Sequence, residues 1–471
     1  MSQPGQRASN CDATSPDHFA EALAARTIDV VDLIDSGNVS PLQKIILFLC
    51  FLVLAADGFD AGAIGYISPS LVAHWGISRA ALGPVMSASL IGLGFGALVA
   101  GPIGDRIGRK AVLVASVGSF GIFSLLAAHA ETVGTLVVLR LLTGIGLGAA
   151  MPNALTLTSE YAPARLRSIF VCMMNCGYSA GLVVGGFISA WLIPQFGWKV
   201  ILVIGGVAPM ALAVLLALVL PESIEFLALR HDRDATIVKI LRRVSPSVNP
   251  NGATFVISAR DSGTQRPRGS FKLLFAANHR RGTLMLWLAY FMGLMIYYLL
   301  MNWLPTLMKD SGFSTRDASW MTSMFPLGGI AGTLCVGWLM DRIDGARVIA
   351  VTFGLTALLV ALAGSVSGYP GAIGVVLFMC GALLISAPTA MSALAIAHYS
   401  TQCRATGVSW MHGIGRLGGV SGAAVGAVLL STGWNLSAIF GLLAVPAIVA
   451  GSAIYWMAPS RRRGETAVER V

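Results

Sequence analysis

Gly101-Pro-Ile-Gly-Asp105-Arg106 stands at the end of one apolar run, and Gly337-Trp-Leu-Met-Asp341-Arg342 stands at the end of another, 236 residues later. A run of about 20 apolar residues is long enough to cross a hydrocarbon core as a helix. Working outward from the first copy, such runs cover 42–66, 81–103, 111–130, 133–157, 168–193 and 199–220. Outward from the second they cover 282–308, 319–340, 346–366, 370–398, 406–431 and 434–458. Each must be helical, because a lone strand in lipid leaves its backbone groups unpaired. The expected fold is all-α and integral to a membrane, with twelve transmembrane helices in two six-helix, pseudo-symmetric halves. The halves occupy 42–220 and 282–458, flanked by tails 1–41 and 459–471 and joined by a polar stretch, 221–281.

Composition agrees. The 471 residues are 55% hydrophobic and only 11% charged, about half the charged share of a soluble chain. Glycine, at 54 residues, suits membrane helices because it lets backbones approach closely. The seven cysteines form no CxxC pair and read as small packing residues rather than disulfides or metal ligands.

The net charge of +10 invites a nucleic-acid reading, but the placement of the charges argues for orientation instead. Lys and Arg stay on the cytoplasmic side because they translocate poorly. With the 221–281 stretch inside as a solvated loop, the loops bearing Arg106, Arg109 and Lys110, Arg165 and Arg167, Arg342 and Arg347, and Arg404 also fall inside. So does the tail Arg461–Arg463, while outside loops keep Arg79, Lys199, Lys309 and Arg316. Both termini are expected in the cytoplasm of a cell whose inner (plasma) membrane holds the chain, with no nucleic acid and no obligate protein partner.

The motifs carry a resemblance. Gly101-xxx-Asp105-Arg106-x-Gly108-Arg109-Lys110 resembles the loop signature of the major facilitator superfamily, and the copy from Gly337 is a degraded version with Asp344 in place of Gly108. Glu160-x-x-Pro163-x-x-x-Arg167 and Pro221-Glu222-Ser223 resemble the signatures after the fourth and sixth helices. Ile224 and Glu225 depart from the sugar-porter form, and Gly181–Gly186 lacks the proline of the drug-antiporter motif. Asp57-Gly-Phe-Asp60, Asn302-Trp-Leu-Pro-Thr-Leu, Arg404-Ala-Thr-Gly-x-x-Trp410 and Gly413-Ile-Gly-Arg416-Leu-Gly resemble the aromatic acid:proton symporter family, with Ala61–Pro69 nearest its 4-hydroxybenzoate branch. The resemblance implies alternating-access uptake of a small aromatic carboxylate together with protons. Transport of another organic anion, efflux, and a non-transporting receptor for aromatic acids stay open as alternatives.

Candidate residues follow from charge inside apolar runs. Asp57 and Asp60 share one helix face, and each costs several kcal/mol as a charge in lipid. Two nearby carboxylates disfavour each other's ionisation, as burial does, so they are candidates for proton coupling or substrate gating. Counting from Leu42, Asp57 lies ~22 Å along the helix, so a position in water at the helix end competes with this reading. Arg140, the lone charge of its run, suits either an ion pair with the first helix or a bidentate grip on a substrate carboxylate. Arg416, near mid-membrane, needs an anionic partner or a water-filled cavity and is the other candidate anchor. His412, one turn away, reads as a hydrogen-bonded core residue or a relay. Tyr298, Asn302 and Trp303, with Asn175 and Tyr178, are candidates for stacking on or bonding a substrate ring, against a reading as interfacial aromatics.

Gly101, Asp105, Arg106, Gly108 and Arg109, with Asp341 and Arg342, are implied by the resemblance to form a cytoplasmic latch between the halves, joined by Glu160, Arg167 and Arg404. Gly144-Ile-Gly-Leu-Gly148 follows no strand and reads as helix packing rather than a dinucleotide loop. No Walker loop and no metal cluster is evident, so an ion gradient is the expected energy source and no cofactor is expected.

Overall fold

The computed structural model describes residues 27–29, 33–35, 37–228, 234–244, 254–256, 274–340, 342–366, 369–399 and 403–457. Among them, twelve helices are long and apolar enough to cross a membrane. The first half holds α1 (Pro41–Trp75), α2 (Gly83–Ile107), α3 (Arg109–Ala127), α4 (Val133–Tyr161), α5 (Arg167–Phe196) and α6 (Lys199–Val219). The second holds α7 (Ala277–Asp310), α8 (Thr315–Met340), α9 (Gly345–Ser365), α10 in two segments (Pro370–Leu384 and Ser386–His398), α11 (Arg404–Ser431) and α12 (Leu436–Met457).

α1 begins at a capping box. The Ser40 hydroxyl accepts from Gln43 N and the Gln43 side chain accepts from Ser40 N, with Pro41 at the first helical position. The helix runs to Trp75 and ends at Gly76, whose φ of 62° is the left-handed cap. That is well past the expected end at 66. Ser68-Pro69-Ser70 interrupts the apolar run, but the helix continues through Pro69, as membrane helices tolerate proline. α10 breaks at Ile385 because Pro388 has no N–H for the Leu384 carbonyl.

Both halves use one packing scheme. α1 packs on α5, α2 on α4 and α3 on α6; in the same order α7 packs on α11, α8 on α10 and α9 on α12. The Gly144–Gly148 run lies in the α2–α4 seam. A Cβ at either glycine would run into the backbone carbonyl of Ser89 or Leu93, so this run is a close helix crossing.

Three apolar cores show how the halves meet. One combines both halves, from Ile67, Leu71 and Met86 to Leu304, Phe325 and Leu430. The second draws on the first half alone and the third on the second half alone. The shared core lies toward the α1 C-terminus, where α5 meets α8, α2 meets α11 and α1 meets α7. Gly83 faces Ala427 there, and Gly65 faces the backbone of Met301 and Asn302. At this end Arg79 and Asp310 form an ion pair of 2.6 Å between the halves. The molecule is therefore joined at one end, while at the end bearing the 101–110 connection each half has its own core.

Part of the polar stretch is structured, unlike a solvated loop. The helix Asp234–Val244 buries Ile237, Ile240, Leu241 and Val244 with Ile34 and Leu42. β1 (Thr27–Asp29) pairs in parallel with β2 (Thr254–Val256), joining the N-terminal tail to the stretch between the halves. Asp35 also accepts from Ala164 N at 2.7 Å, fixing the tail to the α4–α5 connection.

Candidate functional site

The length of α1 decides the setting of its carboxylates. Asp57 lies sixteen residues after Pro41, and Asp60 lies fifteen before Trp75. Both are therefore mid-helix, and both are buried, at 6% and 1% exposure. A position in water at the helix end is overturned.

Asp60 is fully engaged. Arg140 Nη1 donates to Asp60 Oδ1 at 2.8 Å and Nη2 donates to Oδ2 at 2.7 Å, with a longer bond to the Asp60 carbonyl at 3.3 Å. Both side chains are 1% exposed. Bidentate geometry is what lets such a pair hold two charges in a dry interior, although Arg140 Nε is buried without a hydrogen-bond partner. Both terminal nitrogens of Arg140 are taken by Asp60, the geometry of an ion pair with the first helix. Asp57, one turn earlier, differs: its Oδ1 is buried without a hydrogen-bond partner.

Arg416 is the opposite case. It stands twelve residues into α11 and fifteen before its end. It is partly exposed, and no carboxylate among the described residues lies within ion-pair distance of it. Its electrostatic neighbours are Tyr290, Tyr298 and His412. His412 is exposed rather than a core residue; it stacks on Tyr290 with ring centroids 5.3 Å apart, and its Nε2 lies 3.1 Å from Ser392 Oγ. Tyr298 is half-buried and within electrostatic reach of both Arg416 and Asp57.

Opposite, α5 places Tyr178 near Asp57, Tyr297 and Tyr298. Asn175 is exposed one turn earlier, with its Nδ2 bonded to Val171 O of its own helix, leaving the side-chain oxygen for another partner. The candidate site thus draws on a basic group of α11 and a carboxylate of α1 with one unpartnered oxygen, with Tyr298 within electrostatic reach of both.

Two candidates lie elsewhere. Trp303 is fully buried, donates its indole N–H to Ala423 O at 2.9 Å and packs on Gly426. It has no free ring face and is neither an interfacial aromatic nor a stacking surface here. Asn302 is buried in the α1–α7 seam beside Gly65, its Nδ2 without a partner.

The sequence pattern of the family described as the Major Facilitator Superfamily matches residues 50–315 and 286–470. The chain belongs to that superfamily. This major facilitator is 45% identical over 431 residues to the 4-hydroxybenzoate transporter PcaK of Pseudomonas aeruginosa, covering 92% of this chain and 96% of the relative. It is 46% identical to a gallate transporter of Pseudomonas putida, covering 94% and 97%. Among solved structures it resembles the xylose transporter XylE of E. coli in an inward open conformation, with a TM-score of 0.69 at 16% identity over 88% of this chain and 96% of that one. It is a multi-pass membrane transporter and not an enzyme, a member of the branch that holds the aromatic acid transporters.

Two contacts among the signature residues of this major facilitator fall within one half each. Arg109 bridges Asp105 at 2.8 Å, one turn apart, and Arg342 lies over the Trp338 ring at 4.2 Å. Gly108 has a φ of 107°, and a Cβ there would strike the Glu222 carboxylate, so only glycine fits. Gly101 has open space around it. Glu160 is buried, and Arg167 is half-buried with Nε and one terminal nitrogen unpaired. Arg106 lies in the last turn of α2. Asp341 and the Arg404 side chain lie outside the described residues.

Glu222 is a further residue of this cluster that the candidate set lacks. Its carboxylate accepts from Lys110 N and Ser223 N at 2.9 Å, capping the first turn of α3. Tyr161 Oη donates to its carbonyl at 2.6 Å. The signal was an acid directly after the helix-ending Pro221.

Proposed function

We propose that this protein takes up small aromatic carboxylates with protons by alternating access, and that Arg416 holds the carboxylate. The observation that carries the reading is the contrast between the two arginines inside membrane helices: the terminal nitrogens of Arg140 are taken by Asp60, whereas Arg416 is partly exposed without an acidic partner among the described residues. A permanent cation at mid-membrane requires an anion or water, and a guanidinium fork matches a carboxylate. Tyr298 and Tyr178, both half-buried, supply ring surfaces for an aromatic cargo. The names of the relatives, transporters of 4-hydroxybenzoate and of gallate, support the substrate class.

Asp57 is the proton carrier in this reading. A carboxylate buried without a hydrogen bond is costly, and taking up a proton removes most of that cost. Entry of a lone anion against ~100 mV costs about 2.3 kcal/mol; one accompanying proton makes the step electroneutral. The latch residues at the 101–110 end close that side once the other opens. With the basic loops inside, both termini and that end face the cytoplasm of a plasma membrane, and the present conformation is open inward.

The test is uptake of labelled 4-hydroxybenzoate into proteoliposomes under an imposed acid-outside gradient. Accumulation that a protonophore abolishes is expected. Accumulation indifferent to the protonophore refutes proton symport, and no uptake of any aromatic acid refutes the substrate class.

A further inference from the structure

Cys50, Cys380 and Cys403 are buried, as packing residues are, whereas Cys172 is exposed and Cys176 is half-buried. The latter two stand four residues apart on α5, so they are neighbours on one helix face, with Cβ atoms about 5–6 Å apart. Met174, between them, is fully buried in the core that belongs to the first half alone. Residues two before and two after a given position lie about 160° round the helix from it. Both thiols therefore point away from the core of their own half.

The side they occupy is the one that meets the second half further along α5. Cys172, Ser179 and Gly186 recur every seven residues, close to two turns, and so form one stripe. Ser179 is buried, and a Cβ at Gly186 would strike the Ser323 hydroxyl of α8. At the joined end, then, this stripe lies against α8. Toward the 101–110 end each half has its own core, and the stripe runs out uncovered at Cys172. On α8, Gly337 lies fourteen residues after Ser323 and has open space at its Cα. When that end shuts, the thiol-bearing part of α5 closes on the stretch of α8 around Gly337.

We propose that Cys172 and Cys176 form a dithiol site for a soft, thiophilic ligand of the trivalent arsenical class, and that its occupation holds the halves apart at this end. Thiolates are soft ligands and react where they are exposed. With phenylarsine oxide as the ligand, two S–H bonds break and two As–S bonds form. The arsenic-bound oxygen leaves as water with the two thiol protons, and nothing is oxidised or reduced. Two sulfurs one turn apart close a ring around the arsenic, which a single thiol cannot do. Cys335 of α8 is exposed as well, but Ala331, Gly332, Trp338 and Leu339 occupy its neighbouring helical positions, so it offers one sulfur. The bound phenyl group occupies surface that α8 has to cover, which blocks the closing step. The site is independent of the cargo carried.

The experiment treats the purified full-length protein with phenylarsine oxide, adds excess glutathione to strip adducts held by one sulfur, and labels the remaining thiols with maleimide for peptide mass analysis. Cys172 and Cys176 should label in untreated protein and be protected together after treatment, while Cys335 labels in both. Cys172→Ser should return labelling to Cys176, and Cys176→Ser should return it to Cys172. Labelling of the two thiols that treatment leaves unchanged overturns the site, as does protection that survives in either serine variant. Occupation should also slow maleimide labelling of a cysteine placed at Ala427 in the shared core, because the joined end then stays shut; an unchanged rate overturns the claim that the ligand holds the halves apart. None of these readouts needs transport, so a failure of the uptake reading is told apart from a failure of this one.

Discussion

Arg140 and Arg416 carry the same group inside apolar helices, yet their surroundings differ. Arg140 is one half of a closed pair. Arg140→Ala should leave the Asp60 carboxylate buried and uncompensated, at a cost of about 3–5 kcal/mol. Thermal unfolding in detergent should show a large loss of stability, and Asp60→Asn in the same chain should restore most of it. Asp57 has no such partner. Asp57→Asn should abolish uphill accumulation while substrate exchange at equal pH persists, measured as counterflow in vesicles. Accumulation at the wild-type level by that variant removes Asp57 from the coupling scheme. In the sequence, the charges inside apolar runs marked all four residues. Pairing was not legible: Asp60 and Arg140 are eighty residues apart, and depth alone left Asp57 and Asp60 equally eligible as the partner.

At the scale of the element, the apolar runs were legible because lipid demands continuous hydrophobicity, and the spans of the structure follow them closely. The exception is α1. Its expected end at 66 falls short because the helix continues through Ser68-Pro69-Ser70 to Trp75. The helix Asp234–Val244 was legible in principle, since Ile237, Ile240, Leu241 and Val244 repeat at helical spacing, but its basic residues drew it into a loop reading. The glycine seams make a separate prediction. Gly144→Leu should force α4 away from Ser89 of α2 and cost at least about 1–3 kcal/mol, read as a lowered unfolding temperature. Gly94→Leu, with open space at its Cα, should be near neutral. Equal effects of the two would remove the close-crossing explanation.

For the whole molecule, the join at one end and the separation at the other define a conformation that must invert for transport. Arg79–Asp310 is the ion pair between the halves at the joined end. Its side chains are about one-third exposed, so solvent screening limits it to at most about 1 kcal/mol. Arg79→Ala should therefore shift the balance toward opening at that end by up to about fivefold. Maleimide labelling of a cysteine placed at Ala427, in the shared core, should speed up accordingly. An unchanged labelling rate would mean that apolar packing alone holds this end shut. The repeat that set the fold in the sequence also sets this mechanics, since α5–α8 and α2–α11 are matching seams of the two halves.

The central claim is that an unneutralised guanidinium at mid-membrane receives the carboxylate of an aromatic acid. Its most direct measurement is the binding of 4-hydroxybenzoate and of the uncharged 4-hydroxybenzamide to the wild type and to Arg416→Ala. The wild type should prefer the acid by at least about tenfold, the scale of one charge-assisted hydrogen-bonded pair, and Arg416→Ala should bind the two alike. A variant that keeps the wild-type preference for the acid would contradict the account.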